Sequence, residues 1–184
     1  GDRVSPGAHQ LSFLDISFAT LRTETISAIY ELFLALESDN TKSDDGAFYT
    51  PPFLVDYVLD EIDRVAPFGR SSRVIDPAAG SGVFLVGAFR RIIERVLPFD
   101  RWTSRQFQSA RGLLEKNVFG IERNPQAANV CRFSLYLTLL DYSSHNDVSS
   151  LARLAKGSRV FPSLSGNILV KDVFSFDGEV PGAL

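Results

Sequence analysis

The sequence predicts an α/β protein whose parallel sheet is doubly wound and is preceded by a helical segment. Short apolar segments that end near an acid alternate with longer segments whose apolar residues recur every three or four positions. A loop of small residues, Asp-Pro-Ala-Ala-Gly-Ser-Gly at positions 76–82, lies between the first strand and its helix. Strand, glycine loop and helix in this order are typical of a nucleotide-binding unit. We therefore divide the chain into a helical lead-in over residues 1–45 and an α/β domain over residues 46–184.

Two helices are predicted ahead of the glycine loop. The first covers residues 17–37, where apolar side chains at helical spacing form one stripe. The stripe comprises Ile26, Ile29, Tyr30, Phe33 and Leu34. The second helix has Thr50 as its predicted N-cap and Pro51 in its first turn, and its apolar face extends to Val65.

Three strands are predicted in the α/β domain, and each is followed directly or almost directly by an acid. The strands cover residues 73–76, 117–122 and 167–170, and the acids are Asp76, Glu122 and Asp172. The helices between them are predicted over residues 83–96, over residues 99–117 and from an Asn124-Pro125 cap to residue 139, with a short helix near residues 151–156. Because ligands of such sheets bind outside the carboxyl ends of the strands, the three acids are expected to share one ligand-binding rim.

The glycine loop favours a nucleoside ligand without phosphates. Gly80 and Gly82 have no Cβ, so the backbone can approach a ligand closely and can adopt positive φ. A dinucleotide fingerprint counted from Gly80 would require a glycine where Leu85 stands, and a P-loop would require a Gly-Lys-Ser/Thr ending that the loop lacks. Pyrophosphate ligands are therefore disfavoured.

The strand-end residues offer matching hydrogen-bond partners for an adenosine group. Glu122 is placed to accept from both ribose hydroxyls, Asp172 from the exocyclic amine of adenine, and the Val173 N–H to donate to a ring nitrogen. Each acid also has a simpler interpretation. Glu122 could be a solvated acid near a helix N-terminus, and Asp172 could only form a local turn.

Composition excludes several classes of protein. The chain has 184 residues, 45% of them hydrophobic, and a formal net charge of −3, whereas a protein that grips DNA unaided usually carries a positive excess. The single cysteine, Cys131, excludes an internal disulfide, and two scattered histidines predict no metal site. No apolar run approaches the length of a membrane span, so a cytoplasmic protein is expected. Cys131 and Trp102 are predicted core residues, while Arg90, Arg91 and Arg95 are predicted to form the solvated face of their helix.

Four segments, in this order, resemble the N6-adenine DNA methyltransferase family. Residues 46–52, Gly-Ala-Phe-Tyr-Thr-Pro-Pro, are similar to its motif X, and residues 76–85 to its motif I. Residues 120–125, Gly-Ile-Glu-Arg-Asn-Pro, are similar to motif II, and residues 168–174 to motif III. Motif X before motif I is the gamma-class order, and the lead-in is like that of type I and combined restriction-modification methyltransferases. The resemblance covers roughly residues 16–174.

The resemblance implies a partial Rossmann-like methyltransferase domain that binds S-adenosyl-L-methionine. The residues that it places around this cofactor fall into three groups. Tyr49, Thr50 and Pro51 would border the methionine part; Asp76, Ala78 and Gly80 would line its amino-acid end; and Glu122, Arg123, Asp172 and Val173 would hold the ribose and adenine.

The family's catalytic motif, Asn/Asp-Pro-Pro-aromatic, does not occur in these 184 residues. Pro51-Pro52, the one Pro-Pro pair, belongs to the motif X segment. We therefore expect no catalytic residue in this segment, and the transfer motif to lie beyond Leu184 or to have been lost. Double-stranded DNA would be bound through other regions, and specificity or restriction subunits or domains are possible partners.

Two other functions remain open at this point. The first is a methyltransferase that acts on RNA or on a protein glutamine, because such enzymes share the glycine loop and a similar tetrapeptide. The second is a non-catalytic module that binds a cofactor or a partner. The motif X segment and its position favour the DNA enzyme.

Overall fold

A computed structural model describes residues 29–30, 50–97, 102–142 and 159–175. Its helices are α1 (Pro52–Val65), α2 (Val83–Val96), α3 (Ser104–Asn117) and α4 (Pro125–Asp141), and its strands are β1 (Val74–Asp76), β2 (Val118–Glu122) and β3 (Ile168–Val170). A short 3₁₀ helix, Val173–Ser175, follows β3. Ile29 and Tyr30 of the predicted lead-in are helical, whereas the predicted helix at residues 151–156 lies outside the described residues. Among the helices in the described ranges, none is long and apolar enough to cross a membrane.

The three strands form one parallel sheet in the order β1-β2-β3. This confirms the predicted α/β fold, and the order matches one half of a doubly wound sheet. The middle strand, β2, is buried along its first four residues, and α2 and α4 both pack on it. The largest fully buried side chains include Phe89, Leu85 and Ile92 on α2, Leu114 on α3, Leu135 on α4 and Ile168 on β3. Cys131 and Trp102 are also buried, as predicted.

Two asparagines that were assigned to strands lie instead just before them. Asn117 is the last residue of α3, and its side-chain Nδ2 donates to the carbonyl of Arg70 at 2.9 Å. Asn167 precedes β3, and its Nδ2 donates to the carbonyls of Glu115 and Val118 at 2.9 and 2.8 Å. Both amides satisfy carbonyls near the amino ends of the strands, where a loop backbone would otherwise be buried without partners.

Two helix starts also differ from the prediction. Thr50 is not the N-cap of α1; Pro51 is, with φ −60° and ψ 140°, and its carbonyl accepts from the N–H of Leu54 at 3.0 Å. The helix therefore begins at Pro52, whose fixed φ suits a first helical position. The predicted helix over 99–117 begins only at Ser104, because the backbone N–H of Thr103 donates to the Gln106 side chain at 2.7 Å in a capping box.

Arg90 and Arg91 are half-buried instead of solvated as predicted, whereas Arg95 is exposed. On α2 each of them reaches an acid of a neighbouring helix: Arg90 pairs with Asp141, Arg91 with Asp60 and Asp56, and Arg95 with Asp63. Gly87 lets α1 pack closely on α2, because a Cβ at this position would lie 2.6 Å from Leu59 Cδ1. The arginines therefore tie α2 to α1 and α4.

Replacing Asp63 with alanine should lower the thermal midpoint at neutral pH. Asp63 accepts from the Phe68 N–H at 2.7 Å and from both terminal nitrogens of Arg95, and these bonds lower its pKa below 3.8. A lowered folded-state pKa adds stability above the unfolded value that is lost as the pH falls through the folded one. Thermal melts should therefore show a gap between wild type and variant at pH 7 that narrows below pH 3.8. Glu61→Gln, which changes an exposed acid of the same helix, should show a far smaller gap at pH 7.

Candidate cofactor site

The three acids lie at or just beyond the carboxyl ends of adjacent parallel strands, as predicted. Asp76 is in register with Gly120, and Glu122 is in register with Val170. The N–H of Lys171 donates to the carbonyl of Glu122 at 3.1 Å, so Asp172 lies one residue past the last link between β2 and β3. Residues far apart in the chain therefore share one edge of the sheet.

The loop between β1 and α2 turns sharply at two glycines. Gly80 has φ 54° and Gly82 has φ 90°, both in the region that side chains disfavour. A Cβ at Gly82 would lie 2.6 Å from the Cys131 Sγ and 3.2 Å from the Cys131 Cα. The second half of the loop is therefore seated directly on α4.

A third glycine, Gly120, packs against the same loop and was not among the predicted site residues. Gly120 lies in the middle of β2, where a Cβ would be 3.0 Å from the Ala79 Cβ and 2.9 Å from Leu85 Cδ1. A lone glycine inside an apolar strand is a known sign of close backbone approach, and that signal was present in the sequence. Gly120 lets the loop lie against the sheet.

Three consecutive backbone N–H groups of the loop donate hydrogen bonds to oxygen atoms of the protein itself. The Ala78 N–H donates to Asp76 Oδ1 at 3.0 Å, the Ala79 N–H to the Ile121 carbonyl at 2.9 Å, and the Gly80 N–H to Glu122 Oε2 at 2.8 Å. A phosphate-binding loop instead presents its N–H groups to the ligand. This loop is therefore built around carboxylates of the protein, not around a bound anion.

The other oxygen of Glu122 is also engaged. Glu122 Oε1 accepts from the backbone N–H of Asn124 at 2.7 Å. Asn124 is the N-cap of α4, as predicted, and its side chain accepts from the N–H groups of Gln126 and Ala127. One carboxylate thus links the glycine loop to the start of α4.

Two carboxylates, those of Asp76 and Glu122, lie near each other at this edge of the sheet. Burial raises the pKa of Asp76, and the neighbouring Glu122 carboxylate raises it further, against the opposing hydrogen bond from Ala78. Burial likewise raises the pKa of the Cys131 thiol to about 12, so this group is protonated at neutral pH. The edge is therefore suited to hydrogen-bond donors and cations and is unfavourable for phosphate.

Replacing Asp76 with asparagine should stabilise the ligand-free protein at pH 7. The side-chain oxygen of asparagine can still accept from Ala78, while the charge that burial and Glu122 disfavour is removed. Because the pKa of Asp76 is raised in the folded state, its charged form opposes folding at neutral pH, and this effect vanishes below pH 3.8. Thermal melts should show a higher midpoint for Asp76→Asn at pH 7 and none of this advantage at pH 3. A lower midpoint at pH 7 would contradict this view of the edge.

The other predicted site residues lie on neighbouring elements. Asp172 forms the local turn that was considered for it, since its Oδ1 accepts from the Phe174 N–H at 2.9 Å, and Val173 begins the 3₁₀ helix. Arg123 is exposed directly after β2. Thr50 and Pro51 lie half-buried at the start of α1, and Tyr49 is outside the described residues. Hydrogen bonds thus pair Ala78 with Asp76 and Gly80 with Glu122 in one loop, whereas Asp172 and Val173 follow β3 and Thr50 and Pro51 precede α1.

The parallel sheet, the glycine loop and the acidic strand ends define a Rossmann-like α/β domain with its ligand edge at the carboxyl ends of the strands. The sequence profile of the N-6 DNA methylase family matches residues 22–155. Since this match covers well over half of the chain, the chain belongs to the N-6 DNA methylase family.

Several curated relatives share parts of this sequence. A putative type II restriction enzyme and methyltransferase of Methanocaldococcus jannaschii is 24% identical over 71% of the chain. An adenine-specific methyltransferase of Streptomyces coelicolor is 34% identical over 50% of the chain. A type II restriction enzyme and methyltransferase of Escherichia coli is 24% identical over 83% of the chain. The chain spans only 10%, 8% and 18% of the lengths of these proteins, respectively.

One solved structure is also similar in part. It is a modification subunit of a putative type I restriction enzyme from Vibrio vulnificus, 28% identical, with a TM-score of 0.43. The match covers 65% of this chain and 22% of that subunit.

Proposed function

We propose that this chain is the S-adenosyl-L-methionine-binding part of a DNA adenine-N6 methyltransferase from a restriction-modification system. The observation that carries the proposal is the inward direction of the N–H groups of Ala78, Ala79 and Gly80. Because these donors are held by the protein, the site offers acceptors to a ligand where a phosphate site would offer donors. Family membership and the restriction-modification names of the relatives support the same class of enzyme.

The residues at the edge fit this cofactor chemically. S-adenosyl-L-methionine carries a sulfonium and an ammonium group beside one carboxylate, two ribose hydroxyls and no phosphate, and the edge carries the Asp76 and Glu122 carboxylates. Gly80, at φ 54°, has no Cβ that could obstruct a ligand at this edge. When bound, the cofactor supplies an electrophilic methyl group.

The proposed binding roles follow the family motifs. Asp76, Ala78 and Gly80 hold the amino-acid end, and Glu122 holds the ribose. Arg123 flanks the adenine, and Asp172 and Val173 bind its edge. Tyr49, Thr50 and Pro51 border the methionine part. The turn at Asp172 engages Oδ1, and a carboxylate retains further acceptor capacity for an amine.

Double-stranded DNA is the proposed substrate, bound mainly by regions other than these 184 residues. A net charge of −3 gives this segment little attraction for phosphates, so other parts of the protein would supply the contacts. Specificity or restriction subunits or domains are the proposed partners, in line with the restriction-enzyme names of the curated relatives. An enzyme of this kind would act on bacterial or archaeal DNA in the cytoplasm.

Calorimetric titration tests the proposed cofactor. S-adenosyl-L-methionine and its demethylated product, S-adenosylhomocysteine, should bind, because both present the ribose and adenine without phosphates. ATP and NAD should bind at least tenfold more weakly, because their phosphates would approach Asp76 and Glu122. Equal or tighter binding of ATP or NAD would overturn the proposal.

The isolated chain should transfer no methyl group to DNA. The 184 residues lack the Asn/Asp-Pro-Pro-aromatic tetrapeptide that, in the family, holds the flipped adenine in line with the methyl carbon. Incubation with duplex DNA and methyl-labelled cofactor should leave the DNA unlabelled, while an intact adenine methyltransferase labels the same DNA. Label in adenine above the level of a protein-free sample would refute this expectation.

A further inference from the structure

We propose that Glu122, besides its ribose role, is a positioning residue that sets the shape of the glycine loop before any cofactor arrives. This inference rests on the proposed function for its biological meaning, but its structural basis is separate. Glu122 Oε2 accepts from the Gly80 N–H at 2.8 Å, and Oε1 accepts from the Asn124 N–H at 2.7 Å. A residue that only contacted the ligand would have no need of either bond.

The other two loop bonds explain why Glu122 is needed. Asp76 bonds to Ala78 only two residues away, so this bond shapes the turn locally and does not reach a neighbouring strand. Ala79 is anchored to the Ile121 carbonyl of β2, which fixes the base of the loop. Gly80, at φ 54°, is tied across 42 residues of sequence through the Glu122 side chain. Glu122 therefore connects this positive-φ glycine to the end of β2.

The hydrogen-bonding capacity of a carboxylate allows both tasks at once. A carboxylate offers about four acceptor positions on its two oxygens. The N–H groups of Gly80 and Asn124 use one position on each oxygen. Two positions remain, which matches the two hydroxyls of a ribose. The same side chain can thus keep its two bonds to the backbone and still bind both hydroxyls of the ribose.

A glycine loop that is already ordered in the ligand-free protein should favour cofactor binding. A loop that is ordered by Glu122 in advance does not have to be ordered by the ligand, so less binding energy is lost on fixing it. Glutamine at this position keeps one acceptor oxygen but turns an NH₂ group towards the second backbone donor. It can therefore satisfy only one of the two N–H groups.

Amide hydrogen exchange on the ligand-free chain tests this role. In Glu122→Ala the N–H groups of Gly80 and Asn124 should exchange at least tenfold faster than in wild type. Glu122→Gln should accelerate mainly one of them. Glu61→Gln, a change at an exposed acid of α1, should alter neither. The Ala79 N–H, which bonds to a backbone carbonyl, should stay protected and so report that the variants are folded.

Unchanged exchange at Gly80 and Asn124 in Glu122→Ala would overturn the positioning role, whatever the cofactor affinity. If Glu122→Ala does not fold, the Glu122→Gln exchange pattern gives the same decision. Because no ligand is present, a failure of cofactor binding leaves this result intact, so the two proposals can fail separately.

Discussion

Replacing Glu122 with alanine should weaken binding of S-adenosyl-L-methionine by roughly a hundredfold. Two hydrogen bonds from ribose hydroxyls to a charged acceptor contribute about 1.5 kcal/mol or more each, and about 1.4 kcal/mol corresponds to a factor of ten in affinity. The loss of the bonds to Gly80 and Asn124 adds to the effect, since the loop must then be ordered by the ligand. Calorimetric titration of wild type and variant measures the difference.

Glu61→Gln serves as the matched control for this titration, because Glu61 is an exposed acid on the outer part of α1. Its cofactor affinity should equal that of wild type within a factor of two. If Glu122→Ala bound the cofactor as tightly as wild type, Glu122 would not be part of the cofactor site.

Replacing Gly82 with alanine should destabilise the fold by about 3 kcal/mol. A non-glycine residue held at positive φ costs about 1–3 kcal/mol, and forcing an extra methyl into a packed site costs a similar amount. Gly82 has φ 90°, and the new Cβ would meet the Cys131 Sγ at 2.6 Å and the backbone Cα of the same residue at 3.2 Å. The backbone of α4 cannot move without disturbing β2, so a small shift of α4 would not relieve this contact. Denaturant unfolding followed by circular dichroism measures the change.

Gly112→Ala is the matched control, because Gly112 lies inside α3 and a Cβ there would meet nothing within 4 Å. Alanine in a helix interior should stabilise the protein by about 0.5–1 kcal/mol. The double variant Gly82→Ala/Cys131→Ala removes the contact with sulfur but keeps the strained φ. Its loss of unfolding free energy should therefore be smaller than the sum of the losses in the two single variants. A loss of under 0.5 kcal/mol for Gly82→Ala would show that the loop is not tightly seated on α4.

The strands, the glycine loop and the acidic strand ends could be predicted because each is a local pattern. The apolar segments before Asp76, Glu122 and Asp172 identify strands by themselves, and parallel strands bring their carboxyl ends together whatever the details of packing. The N-cap at Asn124 was predicted for the same reason, since its bonds are to residues two and three positions ahead.

What the sequence did not predict depends on contacts between distant residues. Arg91 finds Asp60 31 residues away, and no pattern on α2 distinguishes it from a solvated arginine. Glu122 was assigned only to the two ribose hydroxyls of a ligand, whereas the fold also brings the Gly80 N–H within 2.8 Å of its Oε2. Thr50 was given the capping role by residue type alone, but two consecutive prolines fix the backbone and move the cap to Pro51.

The most direct measurement of the central claim is amide chemical-shift mapping of the chain as S-adenosyl-L-methionine is added. The largest changes should occur at residues 76–82, 122–124 and 171–174, which lie at the carboxyl ends of the three strands. Residues 66–73, near the amino end of β1, and the exposed face of α1 around Tyr57 and Val65 should change little. Changes concentrated in those two regions, with residues 76–82 and 122–124 unaffected, would contradict a cofactor site built on Asp76, Glu122 and Asp172.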